Sequence, residues 1–502
     1  MIKVFKEHPL LTVIIIALLL RLTAVVFSKG FMAHDDYFET VRIAYNGIQN
    51  GLLNDDNHLR WDKAAVDNIA RSPLYVLSLY GVMKAQEAVG IENLDSMMYL
   101  IRLLHALLSL LIVWYGYKYV FKATASRPYA VAAGLILSGH FLMPYLSVRN
   151  LIELVSADFL VPSIYLAWRG AERGDSRRLI IAGILGGLAW IIRFNTGLAV
   201  LPVPFAIWYH AKRLRPALYF CAGLFIMILF SASLDIPFLG RFGQSTINVW
   251  NNFVHHVEQP LLPQPFYMYI PLVLGILIPP FSLYFFVTAF RKSIIRDHVI
   301  LVSSALCFFI IHSIIESKQE RFLIPIFPLL VIWGILGLHS WLNAAKVSKI
   351  HLKIFRFSAA LAVIVNLLIL PVFTFNYNHK GMVEPFVYLS RQDDVKTVLI
   401  DRTERRRFVA VEYAGINQPN TVAVDSWDYL DSLKSMTGLF ESINYFVVYT
   451  DINPAAHADS LAERFGPIRQ VFHSPPSVVD RILHSMNPKH NHTNEAWVFK
   501  KL

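Results

Sequence analysis

Long apolar runs separated by short polar connections fill the first three quarters of the chain, and the pattern changes at residue 376. A membrane-spanning helix needs roughly 20 mostly apolar residues. By that measure spans are predicted at 9–28, 98–117, 128–146, 152–168, 179–193, 197–211, 216–234, 267–290, 297–315, 322–342 and 357–375. The run 73–83 fits this register only if it does not cross, so it is expected to lie in the outer interface or to dip back. The start, Met1 to Lys6, looks like the charged head of a signal peptide. The apolar run behind it is long, holds Arg21 and lacks a small-residue cleavage site, so an uncleaved first span is expected. From 376 onward strand-like segments, 395–400, 421–424, 445–449, 469–472 and 497–500, alternate with polar helical stretches. The predicted fold is mainly α: a polytopic membrane helical bundle of about 11 spans with a small α/β C-terminal domain. The expected division is 1–375 for the membrane domain and 376–502 for the outer one.

Composition agrees with the pattern. Apolar residues make up 55% of the 502 and charged residues 16%, too few charges for a soluble surface of this size. The net charge of +11 raises the question of nucleic acid, but its distribution answers otherwise. Residues 376–502 hold 14 Lys and Arg against 15 Asp and Glu, so the whole excess lies in the apolar part. There the cations crowd alternate connections, from Lys3 and Lys6 through Lys118, Lys122 and Arg127 to Lys346, Lys349, Lys353 and Arg356. The positive-inside bias then puts the N-terminus in the cytoplasm and the C-terminal region outside, with further outer loops at 29–97 and 235–266. Cys221 and Cys307 both sit in apolar runs, which excludes a cysteine metal cage and a disulfide scaffold.

Two outer loops carry candidate chemistry. In His34-Asp35-Asp36-Tyr37-Phe38-Glu39, adjacent carboxylates can accept a proton from a hydroxyl nucleophile or hold a divalent cation. The competing reading is a capping box, Asp36 with Glu39, opening a helix over 40–49. In the connection from His312 to Phe322, Lys318 and Arg321 lie on the face otherwise poor in cations. Three residues apart, they can face one way and neutralise a phosphate; the alternative is pairing with Glu316 and Glu320 or with lipid headgroups. Charges inside spans, Arg21, Arg102, Glu153, Asp158 and Arg193, default to functional or paired roles. Arg149, Glu153 and Arg193 are expected near the outer boundary. Arg71, before Ser72-Pro73, suits lipid headgroups as well as substrate, and His105 reads as a satisfied core histidine.

These features together resemble the GT-C superfamily of lipid-phosphate-sugar-dependent glycosyltransferases. Within it the chain is similar to family 22, the mannosyltransferases of GPI-anchor and N-glycan assembly. The family's first loop reads His-Pro-Asp-Glu-Tyr-Phe-Gln, against Ala33-His34-Asp35-Asp36-Tyr37-Phe38-Glu39 here. Trp61 followed by Arg71-Ser72 is similar to its Trp…Arg-Ser stretch. Its second hallmark, His-Ser-x-x-x-His-Lys-Glu-x-Arg-Phe-x-x-Pro, is close to His312-Ser313…Ser317-Lys318-Gln319-Glu320-Arg321-Phe322…Pro325. Ala33-His34 stands where the family has His-Pro, Ser317 where it has His, and Gln319 where it has Glu.

The resemblance implies an inverting transfer of a sugar, mannose by family, from a polyprenyl-phosphate donor to an acceptor hydroxyl at the outer, periplasmic or luminal, face. Asp35 would be the general base and Asp36 would orient the acceptor. Lys318 and Arg321 would stabilise the lipid-phosphate leaving group, with Arg193 and Arg149 as further phosphate ligands. Tyr37, Trp61 and Arg71 would meet acceptor or sugar. No metal or cofactor is expected. The expected partners are the lipid-linked donor, a glycan, glycolipid or protein acceptor, and membrane lipids, with no nucleic acid. A bacterial inner membrane is favoured, with the ER membrane open. Two other readings stay in view: a flippase of a lipid-linked intermediate, and a metal-dependent GT-C enzyme moving an oligosaccharide or aminosugar with Asp35 and Asp36 as ligands.

Overall fold

The computed structural model describes residues 7–53, 71–259, 263–344, 347–404, 409–415, 419–432, 437–450, 453–488, 493 and 495–502. Trp61 lies outside them. Two compact units emerge. The first comprises Met1–Ala24, Leu52–Ser78 and Arg102–Thr374; the second Val25–Gly51, Leu79–Ile101 and Phe375–Leu502.

The first unit is helical. Among the described residues, five helices that lie wholly or mainly in it are long and apolar enough to cross a membrane: Pro9–Phe27, Leu94–Thr124, Leu214–Leu239, Glu320–Leu342 and Lys349–Thr374. The pair Tyr269–Ile276 and Phe281–Ala289, bent by 119°, makes a sixth if taken as one span. The other predicted spans are helical but differ from the expectation in specific ways. Run 128–146 is interrupted at His140, between Arg127–Gly139 and Leu142–Leu146. Run 197–211 is broken around Pro202, and 297–315 condenses to the 16-residue Val299–Ile314. The helix Ile152–Arg173 is long but carries Glu153 and Asp158.

Outward-facing apolar residues are what identify a membrane protein here. Phe357, Leu367 and Leu368 on Lys349–Thr374 are 60–68% exposed within the protein. A water-soluble fold does not leave such a band uncovered. Glu320–Leu342, by contrast, is 83% buried along its apolar window and forms the centre of the unit.

Small residues set one close crossing, of the helix that precedes Arg193. A Cβ on Gly183 would fall 2.1 Å from the Phe220 carbonyl oxygen, and one on Gly223 would fall 2.1 Å from that of Ile180. The helices Ser176–Ile192 and Leu214–Leu239 therefore meet backbone to backbone, as small residues allow in lipid. Before this crossing, the chain leaves Ile152–Arg173 through Gly174 in the left-handed region (φ 66°), and the Asp175 carboxylate accepts from the Arg178 N–H to start the next helix.

The second unit contains a five-stranded sheet: β1 (Thr397–Asp401), β2 (Asn420–Val424), β3 (Ile443–Val448), β4 (Ile468–Ser474) and β5 (Ala496–Lys501), each overlapping a predicted strand. The order is β2-β1-β3-β5-β4; β1 is parallel to both β2 and β3, and β5 is antiparallel to β3 and β4. An interior parallel strand is covered on both faces, and β1 is buried along its whole length. Leu399, Val424, Phe446, Leu461, Phe465 and Phe499 belong to one core cluster. This unit also takes in residues 25–51 and 79–101, and with them 29–51 and 79–97 of the predicted first outer loop.

Candidate active site

In the second unit, the acidic motif opens a helix one turn earlier than the capping box predicts. Ala33 is extended (φ −107°, ψ 135°), while Asp36 is already helical (φ −68°, ψ −26°) and makes no capping hydrogen bond. The cap reading is thereby corrected: a residue inside the helix cannot cap the turn that follows. Tyr37–Val41 then widens into a π-helical turn, a local distortion that recurs at functional sites. Asp36 is buried and Asp35 half-buried.

Tyr37 holds this turn to the C-terminal region. Its ring stacks between Phe31 and Tyr413, at 4.7 and 5.9 Å, and its hydroxyl donates to Glu412 Oε2 at 3.0 Å. Arg42 Nε lies 3.1 Å from Glu412 Oε1. Burial pushes the Glu412 carboxyl above its ordinary range, with Arg42 opposing the shift, and burial together with Glu412 raises the Tyr37 phenol far above its own. Tyr37 thus remains a hydrogen-bond donor. At 1% exposure its ring is enclosed, and in place of the acceptor or sugar contact expected of it the ring and hydroxyl make positioning contacts. Neither Arg42 nor Glu412 stands out in the sequence, because the region holding Glu412 matches no motif.

In the first unit, the cations converge on a residue rather than on each other. Glu153, in the first turn of Ile152–Arg173, is fully buried. Its Oε1 lies 3.1 Å from Arg193 Nη2 and 3.7 Å from Arg321 Nη1. Arg193 reaches it from the extended residue that ends Ser176–Ile192, and Arg321 from the 3-10 turn Glu320–Ile326. Both guanidinium groups also lie near the Phe322 ring, at 5.6 and 5.7 Å. Arg321 Nε donates to Gln319 Oε1 at 2.7 Å. Two guanidinium groups around one carboxylate leave a net positive charge with planar donor forks, suited to a phosphate.

Lys318 takes a different direction. Its ammonium donates to the backbone carbonyls of Gln264, at 3.1 Å, and Ile315. The expected convergence of Lys318 with Arg321 is therefore replaced by convergence of Arg193 with Arg321, because the Lys318 ammonium is held by backbone carbonyls while the Arg321 guanidinium turns to Glu153. Neighbouring contacts hold the loop: Gln264 N–H donates to Glu316 O at 3.0 Å, and the Tyr269 hydroxyl to Gln319 O at 3.1 Å. Behind it, buried His312 donates from Nδ1 to Phe308 O at 3.0 Å.

The remaining predicted residues are buried too. Arg149 stacks its guanidinium 4.0 Å from the Tyr145 ring centroid, and Arg71 is 5% exposed beside Ser72, whose hydroxyl lies 3.3 Å from that of Ser231. His105 is a buried core histidine whose Nε2 lies 3.0 Å from the Tyr75 hydroxyl, which itself donates to Asn150, while its Nδ1 is buried without a hydrogen-bond partner among the described residues. Arg21 is structural: it donates to Ser109 Oγ at 2.6 Å and to carbonyls of Ala17, Leu137 and Ser138. Among the described residues, no group of three or more His, Cys, Asp or Glu side chains is placed to hold a metal ion.

Residues 12–409 match the family model described as the Alg9-like mannosyltransferase family. The chain is similar to two proteins named GPI mannosyltransferase 3. That of Yarrowia lipolytica is 22% identical over 77% of this chain and 72% of the relative; that of Debaryomyces hansenii is 21% identical over 79% and 70%. In fold it is similar to ArnT from Cupriavidus metallidurans. The apo crystal structure superposes with a TM-score of 0.62 at 12% identity, covering 98% of both chains. A second, bound to undecaprenyl phosphate, gives 0.57 at 14% identity, covering 97% of both.

Proposed function

The chain belongs to the Alg9-like mannosyltransferase family, and from that premise we propose that it moves mannose from a polyprenyl-phosphate donor to an acceptor hydroxyl at the outer membrane face. It is an integral membrane glycosyltransferase. The observation that carries the finer reading is the buried Glu153 with Arg193 and Arg321 on it. Fixed guanidinium groups in a partly dry site stabilise a developing phosphate charge by several kcal/mol. That one ArnT structure holds undecaprenyl phosphate supports a lipid phosphate as the ligand class.

In the proposed reaction an acceptor hydroxyl attacks the anomeric carbon of the donor. The bond from that carbon to the phosphate oxygen breaks, and its electron pair leaves with the phosphate. Asp35 takes the hydroxyl proton, and the configuration at the anomeric carbon inverts. Arg193 and Arg321 meet the leaving phosphate, Lys318 adds positive charge to the same loop, and Asp36 orients the acceptor. Neither a metal nor another cofactor is required, because the donor carries a single phosphate. The topology is read with eleven spans and the N-terminus inside. That register puts Asp35 and Arg321 on the same face of the membrane, where a donor arriving laterally through the bilayer presents its phosphate.

Turnover of polyprenyl-phosphate-mannose by membranes carrying wild type, Asp35→Asn and Arg321→Ala tests the reading. Loss of turnover in both variants, with wild type insensitive to EDTA, is the expected result. Undiminished turnover in Asp35→Asn removes the base assignment, and abolition by EDTA replaces this mechanism with a metal-dependent one.

A further inference from the structure

The sheet of the second unit reverses direction at β1: the chain goes from β1 to β2 on one side and then to β3 on the other. In open α/β sheets, ligands bind beyond the carboxyl ends of the strands at such a switch point. Here the ends of β1 and β3 are bridged by a polar assembly. His457, from the helix Pro454–Phe465 that follows β3, has Nδ1 2.6 Å from Asp401 Oδ2 and Nε2 3.0 Å from Glu404 Oε1. The Thr450 hydroxyl donates to the same Glu404 oxygen at 3.0 Å. Both imidazole nitrogens face carboxylates, which raises the His457 pKa to about 8 and fixes the ring.

Beside this assembly lies an open cavity of about 500 Å³, lined by Glu404, Asp425, Ser426, Trp427, Asp428 and His457, with Thr403. The volume falls within the roughly 300–1,000 Å³ of small-ligand sites. Trp427 is partly packed on the sheet's core cluster and lies 5.9 Å from His457, with the Arg464 guanidinium 5.0 Å from its ring centroid. The ring is thus anchored on both sides while still lining the cavity.

The lining selects a chemistry. Carboxylates and a serine hydroxyl offer many acceptors for hydroxyl donors, and an indole suits the apolar face of a pyranose. Arg402 pairs with Asp425 at 2.9 Å and His457 lies 3.0 Å from Glu404, but among the described residues Asp401, Glu404, Asp425 and Asp428 outnumber these two cations, so a sugar phosphate is disfavoured. We propose that this groove is a second saccharide-binding site, taking an uncharged sugar unit through hydroxyl hydrogen bonds to its carboxylates and contact with Trp427. It shares no residue with those assigned to transfer.

The test uses the full chain in detergent micelles, with mannobiose as probe, mannose 6-phosphate as the anionic comparison, and saturation-transfer NMR as readout. Wild type and Asp35→Asn are expected to bind mannobiose alike. Glu404→Gln and Trp427→Phe, both chosen to keep the fold, are expected to weaken it about tenfold, equivalent to ~1.4 kcal/mol. Circular dichroism of each variant confirms the fold. Mannobiose binding unchanged in both groove variants, absent in wild type, or weaker than that of mannose 6-phosphate overturns the proposal.

Discussion

The carboxylate of Glu153 lies 3.1 Å from the Arg193 guanidinium, joining the first turn of one helix to the residue just after another, and Arg321 approaches the same oxygen. One buried anion thereby holds two cations that would otherwise repel. Breaking a buried ion pair by neutralising one partner costs ~3–5 kcal/mol. Glu153→Gln is expected to lower thermal stability and to raise the donor KM more than it changes kcat, because the cations lose their alignment. Thermal melts and steady-state kinetics in the same detergent check both parts. Unchanged stability would show that the carboxylate does not anchor the pair.

Gln319 provides a second handle. Its amide oxygen takes the Arg321 Nε–H at 2.7 Å without adding charge. Gln319→Glu keeps an acceptor in place but brings another anion to the cluster. The expected outcome is a higher donor KM with folding intact, and a smaller effect at high salt where the added charge is screened. Kinetics at two ionic strengths decide it.

Removing the Tyr37 hydroxyl leaves the buried Glu412 carboxyl short of a donor. Tyr37→Phe is expected to cost ~1–3 kcal/mol, the penalty for an unsatisfied buried polar group. Because the acidic turn is positioned through this contact, kcat should fall while donor KM stays close to wild type. A variant with wild-type stability and kcat would remove Tyr37 from the positioning role.

His457 makes part of the stability depend on pH. Its pKa in the folded chain is about 8 against an ordinary value of 6.5, raised chiefly by the hydrogen bond to Asp401. The protonated form is therefore favoured by folding. Its stabilisation is complete below about pH 6.5 and disappears as pH rises through about 8. The melting temperature should decline across that window in wild type, and His457→Gln should flatten the decline. A parallel decline in the variant would assign it to other groups.

Membrane residence and the five C-terminal strands were legible along the chain, as were the charges from which the candidate site is built. Apolar runs, period-two alternation and misplaced cations are local signals, because each follows from the solvent that a segment meets. The site's internal partners were not legible in the same way. Arg193 and Glu153 are 40 residues apart and Arg321 lies far beyond both, so their meeting on one carboxylate depends on helix packing such as that of Ile152–Arg173 on Ser176–Ile192, where the Ser163 hydroxyl donates to the Ala182 carbonyl at 2.7 Å. Lys318 turns to the Gln264 carbonyl, 54 positions away, and Tyr37 is tied to Glu412, 375 positions away. The sequence by itself determined which residues carry charge and on which side of the membrane they are expected. Only the tertiary structure decided which charges neutralise one another, because that depends on distances of a few ångströms between segments the chain keeps far apart.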